Sequence, residues 1–340
     1  MGKTLYVDLQ EHSYDIIIGN GIIDDIGSYI DNKRVFIITD DHVNDFFGER
    51  VISSIKGEVF RFVLAAGEES KSITSLQKIY GFLLQNQITR NDLVIALGGG
   101  VVGDLTGFAA STVLRGVPFA QVPTSLLAQV DSSVGGKVAI NSPYGKNLIG
   151  AFYQPKLVLI DPLCLDTLSL RVINDGMAEV IKYGCISDKA LFDNLLNSNP
   201  FASLEDIIYT CCDIKRKIVE KDEFDNGERI ILNFGHTIGH AVENYYNYEK
   251  YTHGEAVAIG MYNISLLGEK IGVTPPGTAE KIKQVLVKYE LPYELPVDMT
   301  NLMNTIALDK KSVGDKINIV LLDKLGSAVV KPMLKSDVFI

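Results

Sequence analysis

Three of the five histidines, His236, His240 and His253, fall between positions 236 and 253, while His12 and His42 are isolated and count as background. His236 and His240 are four residues apart, so on a helix they share one face and could both turn toward one metal ion. Thr237, Ile238 and Gly239 stand between them, without the glutamate of H-E-x-x-H, which excludes a zinc-protease reading. Glu179 lies in the apolar run Gly176-Met177-Ala178-Glu179-Val180-Ile181-Lys182 and needs a partner there. Two readings carry equal weight. In one, a carboxylate and two imidazoles hold a divalent ion with coordination positions left for substrate oxygens. In the other, Glu179 pairs with a lysine and the histidines cap helices.

A second chemistry-bearing stretch is Gly98-Gly99-Gly100-Val101-Val102-Gly103-Asp104, which follows a strand and opens a helix. Its backbone N–H groups could cradle a pyrophosphate at the helix N-terminus. The stretch comes late in its domain, and about 20 residues on, where an acidic ribose holder belongs, the chain reads Val122-Pro123-Thr124. Dinucleotide binding and a tight structural turn therefore compete evenly. Ligands of open α/β sheets sit beyond the carboxyl ends of strands. Asp40, the Gly67-Glu68-Glu69-Ser70-Lys71 segment, Thr124 and Ser125 occupy such ends; each alone reads as a cap or turn residue, and together they favour a site.

Cations recur beside glycine or asparagine in Arg115-Gly116, Gly135-Gly136-Lys137, Gly145-Lys146-Asn147 and Arg229, four residues before Asn233. Solvated surface lysines are the usual explanation for isolated cations. Glycine beside lysine, however, lets backbone N–H groups and an ammonium approach one phosphate together. Lys215, Arg216 and Lys217 add a basic run on a helix.

The elements that must position these groups follow from periodicity. Tyr14–Ile18, Arg34–Thr39, Val59–Leu64, Leu93–Leu97, Phe119–Val122 and Leu157–Ile160 are β-branched runs alternating with helical stretches, which predicts a parallel α/β domain. Ile73, Leu76, Ile79, Tyr80 and Leu83 have helical spacing behind Ser72 as N-cap. From Asn174 to about Leu286 nearly every segment is helical in period, including Leu204–Glu220 and Thr237–Tyr246. Near the C-terminus, Ile317–Leu322 and Ala328–Lys331 flank a turn at Asp323-Lys324-Leu325-Gly326 and read as a hairpin.

At 340 residues the chain exceeds the usual size of one core, so two domains are expected. Its net charge of -10 argues against general nucleic-acid or anionic-membrane binding. An anionic substrate would have to meet a local basic cluster. Cys164, Cys185, Cys211 and Cys212 have neither zinc-ribbon spacing nor disulfide-scaffold density. With no secretory signal and no apolar run long enough to span a bilayer, a cytoplasmic protein in a reducing compartment is expected.

The motifs taken together are far more specific than any one of them. The glycine loop, Pro123–Lys137, Gly145–Gly150, Gly176–Gly184, Leu232-Asn233-Phe234-Gly235-His236-Thr237-Ile238-Gly239-His240 and His253-Gly254-Glu255-Ala256-Val257 resemble the 3-dehydroquinate synthases of the shikimate pathway, over almost the whole chain. The resemblance implies a Rossmann-like α/β NAD-binding domain over 1–160, a mainly α-helical metal- and substrate-binding domain over 161–340, a site between them, and a homodimer. It implies conversion of 3-deoxy-D-arabino-heptulosonate 7-phosphate to 3-dehydroquinate and phosphate, with NAD+ and one zinc or cobalt ion as cofactors.

By the same carry-over, Glu179, His236 and His253 are the metal ligands. Lys137, Asn147, Asn233 and His240 hold the phosphate, with Arg115 reaching across from the partner subunit. Lys215 and Arg229 grip the substrate carboxylate, and Asp131 and Lys182 contact ring hydroxyls. The cofactor meets Asp40, Gly67, Glu68, Lys71, Gly99, Gly100, Val101, Gly103, Asp104, Thr124, Ser125, Lys137, Lys146, Cys164, Leu165 and Thr167. Where many members carry glutamate before the Asn-Phe-Gly-His motif, this chain has Asp225, on a shorter arm, as the candidate proton acceptor. A C-terminal lysine contact maps to Lys310 or Lys311. Asn233 and the Asp131–Lys137 segment favour the dehydroquinate branch over cyclases that make an inosose or a valiolone.

Overall fold

The computed structural model describes residues 2–199, 203–306 and 316–338, so Lys310 and Lys311 lie outside the described residues. The chain divides into two compact units, Met1–Ser169 with Leu204–Phe224, and Leu170–Ser203 with Asp225–Ile340.

The first unit is built on a seven-stranded sheet: β1 (Lys3–Val7), β2 (Tyr14–Ile18), β3 (Arg34–Asp40), β4 (Glu58–Leu64), β5 (Leu93–Gly98), β6 (Phe119–Pro123) and β9 (Leu157–Ile160), in the order β1-β2-β9-β6-β5-β3-β4. All neighbours pair in parallel except β1, which adds an antiparallel edge on β2. β3 shows why the sheet is covered on both sides. Phe36 and Ile38 enter one apolar cluster with Leu76, Ile79 and Leu83, whereas Val35 and Ile37 enter the opposite one with Ile23, Val51 and Leu159. Successive side chains alternate faces, so a run apolar at every position is a strand buried on both.

Short helices α1 (Asp41–Val43) and α2 (Glu49–Ser54) follow β3. α3 (Ile73–Gln85) starts where expected, with the Ser72 hydroxyl accepting from Ser75 N–H at 3.3 Å, and α4 (Gly100–Thr112) begins at the glycine loop. A separate hairpin, β7 (Lys137–Ser142) with β8 (Gly145–Phe152), carries the glycine-lysine motifs.

The second unit holds α5 (Leu170–Ile186), α6 (Lys189–Asn197), α8 (His236–Tyr245), α9 (His253–Lys270), α10 (Thr278–Lys288) and α11 (Met299–Ile306). It also holds the expected hairpin, β10 (Lys316–Lys324) with β11 (Ser327–Leu334), and the short α12 (Lys335–Val338). The division differs from one cut at 160/161. Residues 161–169 stay with the sheet, because Asp161 accepts from Ile23 N–H at 3.1 Å and its carbonyl accepts from Gln129 Nε2 at 2.9 Å. Helix α7 (Leu204–Lys221) also belongs to the first unit. Its Cys212 thiol donates to the Gln129 carbonyl and its Glu220 carboxylate accepts from Asp8 N–H. Among the described residues no helix is long and apolar enough to cross a membrane.

Glycines set the helix spacing in the second unit. A Cβ on Gly260 of α9 would lie 1.9 Å from the Gly235 carbonyl oxygen and 3.0 Å from Gly239 N, and one on Gly254 would lie 2.0 Å from the Asp175 carbonyl oxygen. Backbone thus meets backbone where α9 crosses α8 and α5. Gly260→Ala should therefore destabilise by about 3 kcal/mol. Gly81→Ala is the control: Gly81 lies inside α3 with nothing within 4 Å of its Cβ position, and the change should stabilise by about 0.5–1 kcal/mol. Denaturant unfolding of both variants checks the contrast, and equal responses would refute the close-approach account.

Candidate functional site

Glu179, on α5, has a side chain 0% exposed, and three cationic or ligating groups converge on it. Its Oε1 lies 3.5 Å from His236 Nε2 and 3.4 Å from His253 Nε2, while the Lys182 ammonium, one turn on, pairs with Oε2. His236 Nδ1 sits 3.1 Å from the Phe234 carbonyl oxygen. That contact requires the proton on Nδ1 and leaves Nε2 with its lone pair. A lone pair and a carboxylate oxygen aimed at one point repel unless a cation stands between them.

The ligand atoms of Glu179, His236 and His253 all lie within 4.8 Å of one another, a spread that one ion with bonds of about 2.0–2.2 Å spans. This donor set, one carboxylate and two imidazoles, fits a divalent ion and leaves positions open. Of the two sequence readings, the lysine pair and the histidine convergence coexist on different oxygens of Glu179. The histidines cap nothing: α8 is capped by Gly235 and α9 by Thr252 with Glu255.

Burial pushes the His236 imidazole down to about 3, against the opposing charge of Glu179. Burial acts on His253 too, but hydrogen bonding and charge from Glu179 and Glu243 outweigh it and raise the ring to about 10. The proton of the metal-free cluster therefore resides on His253. The backbone carrying His253 is clamped by Asp175 of α5, whose Oδ1 accepts from Gly254 N–H at 2.6 Å. Burial raises that carboxyl, opposed by the Thr252 hydroxyl and by His253. His240 is exposed, with its ring 5.3 Å from that of His236 and 6.1 Å from that of His253, and it forms a second possible group with Glu243 and His253.

In the first unit, β3 continues to β4 on one side and to β5 on the other, so the strand order reverses between β3 and β5. Crevices at such switch points bind ligands. Asp40 ends β3, and Gly98-Gly99-Gly100 ends β5 and starts α4, whose N-cap Gly99 offers no side-chain acceptor. The first-turn N–H groups of α4 are thus available to an anion. A Cβ on Gly103 would lie 2.7 Å from Gln121 Oε1, so a side chain there would displace the glutamine amide, whereas one on Gly99 would make only ordinary contact with Ser125 Oγ at 3.4 Å. The residues fit a pyrophosphate.

Asp40 spends one carboxylate oxygen capping α1, through Val43 N–H at 2.9 Å, and burial raises its carboxyl. Lys71, after β4, is buried and bonds both Asp104 of α4 and Asn147 of β8. Gly67 and Glu68 form the turn before it, with Glu68 accepting from Asn141. Thr124 is buried, Ser125 half-buried, and Lys146 half-buried on β8, while Lys137 is exposed at the start of β7. Cys164 and Leu165 turn their side chains into the core, so only their backbone can meet a ligand, and Thr167 bonds the Cys164 carbonyl. Lys215 of α7 reaches Asp131, bonding its carboxylate at 2.6 Å and its carbonyl at 2.7 Å. Asp131 sits in a π-helical turn, 128–132.

Arg115 is exposed in a turn where Leu114, Arg115 and Gly116 have φ of 50°, 66° and 119°. In the second unit, Arg229 is buried, Asn233 exposed, and Asp225 half-buried at φ 58°.

Residues 61–175 match the model of the 3-dehydroquinate synthase N-terminal region and residues 176–312 that of its C-terminal region. The chain is 53% identical over 341 residues to a 3-dehydroquinate synthase of Clostridium botulinum (strain Alaska E43 / Type E3), with 97% of each covered. The chain belongs to the 3-dehydroquinate synthase family. Its fold is similar to that of a 2-deoxy-scyllo-inosose synthase complexed with carbaglucose-6-phosphate, NAD+ and Co2+, at a TM-score of 0.88 and 24% identity over 99% of this chain and 98% of that one. It is also similar to a 2-epi-5-epi-valiolone synthase from Streptomyces hygroscopicus subsp. jinggangensis 5008 with NAD+ and Zn2+ bound, at 0.88 and 24% over 97% of this chain and 96% of that one.

Within this dehydroquinate synthase family member, sequence reasoning passed over Glu243 and Asp175. Glu243 follows His236 by seven residues and His240 by three, which places all three on one helical face beside the apolar pair Ala241-Val242. Asp175 immediately precedes the Gly176–Lys182 motif, and no periodicity reveals its reach to α9.

His253→Ala should abolish stoichiometric Zn2+ or Co2+ uptake, and His240→Ala should leave it; equal losses would place the ion at His240, Glu243 and His253 instead. Since an ion must displace the proton that His253 holds up to about 10, metal affinity should rise with pH through the neutral range, by up to about tenfold per unit. Equilibrium dialysis across that range gives the slope, and a flat profile would contradict the assignment.

Proposed function

We propose that the chain is a 3-dehydroquinate synthase. On this reading it converts 3-deoxy-D-arabino-heptulosonate 7-phosphate to 3-dehydroquinate and phosphate through transient oxidation, phosphate elimination, reduction, ring opening and intramolecular aldol closure. It acts in the cytoplasm, as a homodimer, with NAD+ at the β3/β5 switch point and one zinc or cobalt ion at Glu179, His236 and His253. The observation that carries the reading is the convergence of two imidazole nitrogens on the buried Glu179 carboxylate. Half-identity to relatives named for this activity, and two similar folds that carry NAD+ with Co2+ or Zn2+, support it.

Direct loss of phosphate is slow from a carbon whose neighbour's proton has no adjacent carbonyl. Bound NAD+ would supply that carbonyl temporarily, and the ion a Lewis acid for substrate oxygens. The remaining work falls to this chain's own side chains. First-turn N–H groups of α4 hold the pyrophosphate, with Lys71 bracing Asp104 beside them. Lys137, Asn147, Asn233 and His240 bind the substrate phosphate, with Arg115 supplied by the partner subunit from its exposed turn. Lys215 and Arg229 hold the carboxylate. Asp131 and Lys182 contact ring hydroxyls, and the Lys182 ammonium also stabilises negative charge as it develops. Asp225 or the substrate's own phosphate takes the proton.

Purified enzyme supplied with the heptulosonate phosphate and NAD+ far below the substrate concentration should release phosphate for many turnovers with no accumulation of NADH. Stoichiometric NADH from simple polyols, without phosphate release, would point to a dehydrogenase and end this reading.

A further inference from the structure

His236 and His253 are steadied differently at the ring nitrogen that faces away from Glu179. His236 places Nδ1 on the Phe234 carbonyl of its own chain turn. His253 places Nδ1 3.6 Å from Glu243 Oε2, longer than a closed hydrogen bond and within ion-pair reach. One imidazole therefore stands between two carboxylates, Glu179 on its Nε2 side and Glu243 on its Nδ1 side.

The position of Glu243 is costly by every structural rule. Its side chain is only 4% exposed, and burial penalises a carboxylate. It also lies in the last turn of α8, His236–Tyr245, where the helix dipole disfavours negative charge. An apolar residue would suit packing beside Ala241 and Val242 better. Among the groups it faces there is the Nδ1 edge of His253. Glu243 also fixes where the chain goes next, since its carbonyl accepts from Tyr248 N–H at 2.8 Å in the connection that delivers His253 to the start of α9.

We propose that Glu243 is a positioning residue for the metal site: its carboxylate holds Nδ1–H of His253, which fixes the tautomer and aims Nε2 at the ion. The ring would otherwise be free to present either nitrogen, and ligand histidines depend on such outer partners for aim and basicity. α8 then serves the site three times from one face, with His236 as ligand, His240 beside it, and Glu243 behind His253. The inference rests on the metal reading and adds a residue to it.

The test is a Co2+ titration of metal-stripped protein against a competing chelator, with Glu243→Leu and Glu243→Gln beside the unaltered chain. Leucine fills the volume but removes one carboxylate partner of His253, so metal-free Glu243→Leu should melt below the parent, and circular dichroism establishes that it is folded at the titration temperature. Its Co2+ dissociation constant should rise by about 10–100-fold, with the ligand-field spectrum keeping the same coordination number. Glu243→Gln, which retains an acceptor oxygen, should fall between the two. A folded Glu243→Leu that binds within twofold of the parent would overturn the inference, as would a lost ligand in its spectrum, which would make Glu243 a ligand. Should Glu243→Leu not fold, Glu243→Gln decides: weakening of about threefold or more supports the inference and unchanged affinity overturns it. A parent chain that takes up no Co2+ would instead sink the metal reading itself.

Discussion

The second unit depends on a carboxylate removed from water. Glu179 has no exposed side-chain surface, and an uncompensated charge in such a place costs several kcal/mol. Lys182 answers one of its oxygens, and the Nε2 atoms of His236 and His253 face the other. No residue pair satisfies this arrangement alone. It needs three helices brought to one point, and the glycines at 235, 239, 254 and 260 permit the backbone approach that does so. Site and packing are thus one constraint: widening the helix spacing by a methyl group would pull the imidazoles off the carboxylate.

The first unit solves a different problem with a different device. A parallel sheet buried on both faces has chemistry to offer only at its strand ends, and the reversal of strand order between β3 and β5 opens a crevice there. The N-terminus of α4 faces it uncapped by side chains, and the buried Lys71 ties Asp104 of that helix to Asn147 of the β7–β8 hairpin. A glycine loop that reads ambiguously as a motif gains its meaning from this position. No acid follows at the usual downstream spacing, and Asp40 stands at the neighbouring strand end.

Much of this was legible in the sequence where one short-range period governs. The strands from Tyr14 to Ile160, the Ser72 cap and the C-terminal hairpin follow from alternation, capping and turn chemistry. Contacts between distant segments were less legible. Helix α7 reads like its helical neighbours in the chain yet packs in the first unit through Cys212, Lys215 and Glu220, because amphipathic period says that a face is buried and not against what. Helical spacing paired His236 with His240. The ring that shares Glu179 with His236 is His253, on another helix. Glu243 was hidden for the opposite reason: an acid at the end of a helix reads as solvated until its burial is seen.

The central claim is that one divalent ion sits at Glu179, His236 and His253. Anomalous diffraction from crystals of Zn2+- or Co2+-loaded enzyme, collected at the metal's absorption edge, tests it most directly. The account predicts one strong peak within about 2.0–2.2 Å of Glu179 Oε1, His236 Nε2 and His253 Nε2. A peak centred on His240 and Glu243, or full loading with no peak beside Glu179, would contradict it.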